Sequence, residues 1–155
     1  MVEIAVAPEE SKEQLWQLFL EYADELSELD GETRPHLKRH YDYFDQFWTD
    51  ENRTPFLILY DHEPVGFCLI EDTGVSYKIN DFYVRPLHRR RGFGRMAVER
   101  VKEHCRALGR HTIIAANVYV NNAPAISFWQ SAGFKDTGRR VRIRRLRLIE
   151  TETGL

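Results

Sequence analysis

Apolar residues near the start of the chain recur at steps of three and four, which predicts an amphipathic helix over residues 8–29. Pro8 suits the first turn of such a helix, and Asp30-Gly31 would end it. A second apolar stripe predicts another helix over residues 35–48. The positions that form the two stripes are Leu15, Leu18, Phe19, Tyr22, Leu26 and Leu29, then Tyr41, Phe44, Phe47 and Trp48.

The middle of the chain changes to short apolar runs rich in β-branched and aromatic residues, which are typical of strands. Three strands are predicted, over residues 56–60, 65–70 and 75–84. Turn-forming residues separate them, Asp-His-Glu-Pro at 61–64 and Asp-Thr-Gly at 72–74. Because such short connections join antiparallel neighbours, we expect a three-stranded antiparallel unit.

The second half of the chain mixes the two periodicities. A helix is predicted over residues 91–108 with Gly109 after its end, followed by a strand over 111–120, a helix over 122–132 and a strand from Phe134. Basic and apolar residues alternate over 139–149, which predicts further strand. This order of elements predicts an α/β (α+β) fold, with helices around a mixed sheet.

The bulk properties fit one domain that buries its own core. The chain has 155 residues, of which 43% are hydrophobic. No apolar stretch approaches the ~20 residues of a membrane span and no signal peptide is recognisable, so a cytoplasmic protein without membrane contact is expected. Cys68 and Cys105 lack metal-like or redox-like spacing and are predicted to be quiet buried thiols.

The net charge of −2 hides a strong asymmetry between the two parts of the chain. Residues 1–84 contain 19 acidic and 6 basic residues, whereas residues 85–155 contain 5 acidic and 16 basic ones. One interpretation is that the two parts attract each other within a compact fold. The other is that the basic part binds a polyanion and the acidic part attracts a cation. The charge pattern alone leaves both open.

The most specific segment is Arg89-Arg90-Arg91-Gly92-Phe93-Gly94, between a predicted strand and a predicted helix. A helix start offers unpaired N–H groups and partial positive charge, and glycine lets the backbone approach an anion closely. The nearby arginines, with Arg95 as the fourth, add donors suited to phosphate. The segment lacks the Gly-Lys-Ser/Thr of a P-loop and the third glycine of a dinucleotide fingerprint. An ordinary basic helix start remains the alternative.

With its context, this turn resembles the signature of the GNAT superfamily of N-acetyltransferases: Gln or Arg, two residues, Gly, one residue, then Gly or Ala, after a strand and opening a long helix. Arg89, Gly92 and Gly94 fit that pattern. A second block fits the family's Asn-containing helix and its closing Gly-Phe pair. Its residues are Asn122, Ala125, Phe128, Gly133 and Phe134.

The resemblance implies a single acetyltransferase domain over residues 1–155. Residues 1–53 would form variable acceptor-side helices, residues 54–134 the CoA-binding core and residues 135–155 the C-terminal strands. The implied sheet has about six to seven strands, mostly antiparallel, and about four flanking helices. Two neighbouring strands would splay apart, and the pantetheine arm of acetyl-CoA, the co-substrate, would lie between them.

The resemblance also implies roles for individual residues. The strand residues Phe82, Tyr83 and Val84 would offer main-chain groups to the cofactor, and the Val84 N–H would polarise the thioester carbonyl. Asn122, with Asn117 as a weaker candidate, would bind the cofactor arm. The pyrophosphate would lie on Arg89, Arg90, Arg91, Gly92, Phe93, Gly94 and Arg95.

Asp81 is the first candidate for the general base that deprotonates the amine, with a structural or substrate-orienting carboxylate as the alternative. In a regular strand, Asn80 would point to the opposite face. Trp129 stands where the family commonly has a proton-donating tyrosine, and an indole cannot replace that hydroxyl. Trp129 would therefore pack near the thiol, while Tyr119, Tyr83 or water protonates the thiolate.

The expected function is transfer of an acetyl group to a primary amine, of a cationic small molecule or peptide, within a ternary complex. A nucleic-acid-binding protein that uses the basic part and a non-catalytic CoA sensor are the alternatives, of which nucleic-acid binding is disfavoured. A homodimer formed through the late strand is compatible with all three. No metal is expected, since His36 and His40 lack a third ligand in the sequence.

Overall fold

The computed structural model describes residues 1–30, 37–119, 121–139 and 143–148. Its helices are α1 (Lys12–Asp30), α2 (Leu37–Thr49), α3 (Phe93–Ala107) and α4 (Ala123–Ser131). The strands are β1 (Val2–Val6), β2 (Arg53–Tyr60), β3 (Glu63–Asp72), β4 (Tyr77–Val84), β5 (Ile113–Tyr119), β6 (Phe134–Arg139) and β7 (Ile143–Leu148). No helix among the described residues has the length and apolar character that a membrane crossing requires.

The strands form one seven-stranded sheet in the order β1-β2-β3-β4-β5-β7-β6. Of the strands that the structure describes, only β4 and β5 pair parallel, and every other neighbouring pair is antiparallel. The predicted α/β architecture, with its mixed and mostly antiparallel sheet, is confirmed. The edge strand β1 was missed by the sequence reading, because five residues with an exposed Val6 form a weak pattern that only pairing with β2 turns into a strand.

Two apolar layers cover the sheet, one on each face. On one face, α1 and α2 pack on the middle strands through an aromatic core. On the other face, α3 and α4 cover β2, β4, β5 and β6. Side chains at the centre of the first layer are Leu15, Phe19, Phe44, Phe47, Phe67 and Tyr83, and at the centre of the second they are Ile79, Val98, Val101, Ile113, Trp129 and Leu146.

The boundaries of several elements differ from the prediction for local reasons. Glu9–Ser11 forms a 3-10 turn, so α1 begins at Lys12 instead of Pro8. Glu63 and Pro64 belong to β3, because the hairpin turn needs only Asp61 and His62, both with positive φ (49° and 70°). The predicted start of α2 at residue 35 and the alternation at 140–142 and 149 lie outside the described residues.

Both cysteines are buried and free, as predicted. Cys68 lies in β3 and Cys105 in α3, and both belong to the same apolar cluster. Burial raises the pKa of each thiol, that of Cys105 to about 12. They therefore pack as small apolar side chains and carry no thiolate at neutral pH.

Candidate active site

The parallel pair β4 and β5 separates after a short paired stretch. Its three pairs run from Tyr77 opposite Ile113 to Ile79 opposite Ala115, and beyond them the described parts of the two strands have no mutual partners. The predicted splayed pair is thus present. A bulge starts the divergence, because Ile79 pairs with Ile70 of β3 and Asp81 with Leu69, which leaves Asn80 as the extra residue.

The open edge of β4 presents backbone donors. The Arg85 N–H donates to the Val65 carbonyl at 2.9 Å, so the N–H of Arg85 points toward β3. Because N–H groups alternate in direction along a strand, those of Val84 and Phe82 point toward the side that β5 has left. By the same alternation the Tyr83 N–H points to β3, which removes it from the predicted set of main-chain donors in the gap.

The bulge also corrects the expected direction of Asn80. A regular strand would place Asn80 and Asp81 on opposite faces. In the structure Asn80 interacts with the side chain of Tyr43, which also contacts Asp81, so both residues face α2. Asn80 further donates its amide to Glu71 at 3.0 Å.

The turn after β4 has the backbone shape of an anion site. Arg90 and Gly92 both have positive φ, 62° and 79°, and Gly92 is the N-cap of α3. The first bond at this end of the helix runs from the Met96 N–H to the Gly92 carbonyl at 3.0 Å. The N–H groups of Phe93, Gly94 and Arg95 therefore have no helical acceptor and remain for a ligand.

The arginine side chains of the turn differ in what they contact. Arg89 donates through Nε to the Val84 carbonyl and through Nη2 to Glu25 of α1, both at 2.8 Å, so its guanidinium braces the turn against α1. Arg91 lies over the Phe93 ring, 4.8 Å from its centroid. Arg95 contacts the Ser131 hydroxyl at 3.4 Å, and Arg90 is exposed.

Several predicted cofactor residues contribute packing to this region. The Phe93 ring is buried and stacks on Tyr60 at 4.5 Å, so only its backbone faces the turn. Phe82 stacks on Phe128, with 5.7 Å between the ring centroids, and both rings pack against the apolar cluster under α3 and α4. A Cβ on Gly94 would lie 3.0 Å from the Phe128 ring, so this glycine is required for the close approach of α3 to α4.

Trp129 is a core residue of α4. It is 5% exposed, and its ring lies 5.2 Å from Phe82 and 5.0 Å from Phe134. Asn122 caps the same helix, since its side-chain oxygen accepts the Ala125 N–H at 3.2 Å. The side chain of Asn117, the weaker candidate, falls outside what the structure describes.

Asp81 has the most unusual environment of the candidate residues. Asp81 is 8% exposed, and its carboxylate accepts hydrogen bonds from the hydroxyls of Tyr22 of α1 at 2.8 Å and Tyr43 of α2 at 2.5 Å. Burial raises the pKa of Asp81, while the two tyrosine hydrogen bonds and the charge of Arg53 act in the opposite direction. A carboxylate whose pKa is raised accepts a proton more readily than an ordinary aspartate does.

Two other tyrosines interact with Tyr22. Tyr119, at the end of β5, contributes electrostatically to the raised pKa of Tyr22, and the Tyr83 ring lies 5.8 Å from the Tyr22 ring. Tyr83 donates to Glu21 at 3.2 Å, and burial together with the Glu21 charge raises the pKa of Tyr83 to about 12. Tyr22 belongs to the first apolar stripe and Tyr43 lies among the aromatic residues of α2, so the sequence does not identify either hydroxyl as a partner of Asp81.

The described residues contain no cluster of three or more His, Cys, Asp or Glu that could hold a metal ion, and His36 lies outside them. The site therefore consists of a backbone cleft, a basic turn and a buried carboxylate with its hydroxyl donors.

Comparisons with known proteins identify the family and support the fold. Residues 13–134 match the acetyltransferase (GNAT) family. No curated protein matches the sequence. An acetyltransferase from Thermus thermophilus superimposes with a TM-score of 0.79 at 22% identity, over 95% of this chain and 96% of that one.

Two further structures are similar in fold. PaiA N-acetyltransferase from Thermoplasma acidophilum, solved in complex with coenzyme A, has a TM-score of 0.77 at 13% identity, over 96% of this chain and 98% of that one. A spermidine N-acetyltransferase chimera from Vibrio cholerae and hSSAT has a TM-score of 0.75 at 16% identity, over 96% of this chain and 95% of that one.

Proposed function

Because the chain belongs to the GNAT family of acetyltransferases, and is an N-acetyltransferase that uses acetyl-CoA, we propose that its acceptor is a primary amine of a cationic small molecule or peptide. The acetyl group passes directly to the amine in a ternary complex. The observation that carries this proposal is the cleft between β4 and β5, which has the anion turn at one end and Asp81 beside it.

The residues of the cleft and the turn suit acetyl-CoA. A left-handed Gly92 and the open N–H groups of α3 fit a pyrophosphate, with Arg90, Arg91 and Arg95 near enough to add charge. Arg89 supports the turn through the Val84 carbonyl. The backbone of Phe82 and Val84 and the amide of Asn122 then line the path of the pantetheine arm.

The protein residues divide the chemistry as follows. The Val84 N–H donates to the thioester oxygen, where negative charge develops as the amine attacks. Asp81 accepts the proton that the amine loses. Tyr119, at the end of the opposite strand, donates a proton to the departing thiolate, which leaves readily because thiols have pKa values near ~8.5.

The lining of the site on the α1 side supports this acceptor class. The Asp81 carboxylate lies against Tyr22 and Tyr43, and a carboxylate beside aromatic rings favours a cation. Glu21 adds a further carboxylate on this side, although Arg85 already pairs with it. The similar fold of a spermidine N-acetyltransferase is consistent with an amine of this kind. A cytoplasmic location and a dimer formed through the late strand remain predictions.

A thiol-release assay tests the proposal. Acetyl-CoA is offered with polyamines, aminoglycosides, free amino acids and basic peptides, and binding of CoA is followed separately by thermal shift. We expect release with at least one cationic amine, and a loss of about 10²–10⁴-fold in kcat/KM for Asp81→Asn with CoA binding retained. CoA binding without release for any amine would refute transfer and favour a CoA sensor.

A further inference from the structure

The carboxylate of Asp81 is held by two helices that the sequence places far from it. Tyr22 of α1 donates to Oδ1 and Tyr43 of α2 donates to Oδ2, so each oxygen has its own hydroxyl donor. Asp81 belongs to the central sheet, whereas both tyrosines come from the N-terminal acceptor side. The environment of the candidate base is therefore assembled only when α1 and α2 pack on the sheet.

We infer that Tyr22 and Tyr43 are positioning residues that orient Asp81 and hold it in the carboxylate form needed to accept the amine proton. This inference rests on the proposed function and adds two residues to it. A hydroxyl on each oxygen fixes the plane of the carboxylate and leaves further lone pairs for the amine. Hydrogen bonds to the charged form stabilise it relative to the acid.

The tyrosines remain donors throughout the working pH range. Burial and the adjacent Asp81 charge raise the pKa of both hydroxyls far above neutrality. Neither phenol is therefore a base, and neither competes with Asp81 for the proton. Their contribution acts through the carboxylate, which is what distinguishes them from a group that itself touches the substrate.

Other charged or titratable groups on the neighbouring strands act on Asp81 and its two tyrosine partners. Arg53 of β2 lies over the Tyr43 ring, 5.8 Å from its centroid, and its charge lowers the pKa of Asp81. Cys68 of β3 is buried with a raised pKa, so it is neutral. Tyr119 of β5 acts on Tyr22. The two hydroxyls and Arg53 counteract burial, which is the largest influence on the Asp81 pKa and leaves that pKa raised.

The experiment compares Tyr22→Phe and Tyr43→Phe with the matched control Tyr41→Phe, which removes an exposed hydroxyl from α2 two residues away from Tyr43. Titration of ¹³C-labelled aspartate carboxyls by NMR, with Asp81→Asn to assign the signal, measures the Asp81 midpoint without any turnover. We expect each of the first two substitutions to move this midpoint upward by about one pH unit, and the control to leave it unchanged.

Kinetics provide the second readout. The acid limb of kcat/KM for an accepted amine should move upward with the NMR midpoint in Tyr22→Phe and Tyr43→Phe.

If no amine turns over in the parent protein, the proposed function fails while the NMR titration still decides the role of the tyrosines. An unmoved Asp81 midpoint in a folded Tyr→Phe variant would overturn the inference, even if that variant melts at a lower temperature. Should one variant not fold, the other decides, since each hydroxyl bonds a different oxygen.

Discussion

Arg89 donates to both carboxylate oxygens of Glu25 at 2.8 Å, and this pair ties the anion turn to helix α1. The same guanidinium donates through Nε to the Val84 carbonyl. Arg85, on the same side, pairs with Glu21 one helical turn earlier. Two ion pairs thus connect α1, the helix that carries Tyr22, with the end of β4 and the turn that follows it.

Replacing Arg89 with Ala should weaken CoA binding by about tenfold or more, because the charge-assisted bond that fixes the Val84 carbonyl is lost. Glu25→Ala is the matched control, since it removes only the ion pair. Both partners of that pair are about 40% exposed, so its loss should cost less than about 1 kcal/mol. Calorimetric titration measures the CoA affinity of both variants. An equal loss of affinity in Arg89→Ala and Glu25→Ala would contradict a separate role for the contact with the Val84 carbonyl.

Gly92→Asp should abolish CoA binding. A Cβ at this position meets only the Met96 side chain at 3.9 Å, so the effect comes from the left-handed φ of 79° and from a negative charge at the start of α3. Gly74→Asp is the control, because Gly74 also has positive φ and open space but lies in the hairpin between β3 and β4. Both variants should lose about 1 kcal/mol of stability, and calorimetry should find binding intact only in the control.

Trp129→Phe should retain most of the turnover, since the indole packs in the core of α4 and gives up no proton. The free energy of unfolding should fall by about 1–3 kcal/mol as packing is lost. Tyr119→Phe should show the reverse pattern, with a fall in kcat and little change in melting temperature. Steady-state kinetics and thermal melts separate the two, and a loss beyond ~100-fold for folded Trp129→Phe would assign the indole a direct part in the chemistry.

The sequence predicts the backbone of the turn after β4 well because that turn depends on local backbone chemistry. A strand, a glycine turn and a helix follow one another directly, and Gly92 with its positive φ marks the start of α3. Asn122 was predicted only to bind the cofactor arm, and its role as the cap of α4 is a finding of the structure. The splayed strands were accessible only through the family resemblance, since the bulge at Asn80 leaves no signal in the residue pattern.

The acceptor side could not be predicted, because its contacts join residues far apart in the chain. Tyr22 lies 59 positions from Asp81, and Tyr43 lies 38 positions from it. Tyr22 satisfies the helical apolar periodicity and Tyr43 is one of several aromatic residues of α2, so only the packing of the two helices on the sheet turns the hydroxyls toward a carboxylate. Likewise, Arg89 fits a phosphate motif in the sequence, yet its side chain contacts the distant Glu25.

The acidic character of residues 1–84 leads to the last prediction, which concerns the charge of the acceptor. Part of that charge is balanced inside the fold, because Glu21 pairs with Arg85, Glu25 with Arg89 and Asp72 with Arg110. The two interpretations of the charge asymmetry therefore predict different effects of salt on turnover. Ion pairs within the fold affect any acceptor equally, whereas steering of a ligand depends on the charge of that ligand.

A cationic amine should accordingly have a kcat/KM that falls as salt rises, since the screening length decreases from ~10 Å at 0.1 M to ~3 Å at 1 M. A neutral amine of similar size should show little change, and it serves as the internal control for salt effects on CoA binding and on the fold. Both amines are measured at saturating acetyl-CoA, where the phosphate contacts are already formed. The remaining salt dependence of kcat/KM then reports on the amine alone. A parallel salt dependence for the two amines would mean that the carboxylates of α1 act only within the fold, and the cationic acceptor would have to be abandoned.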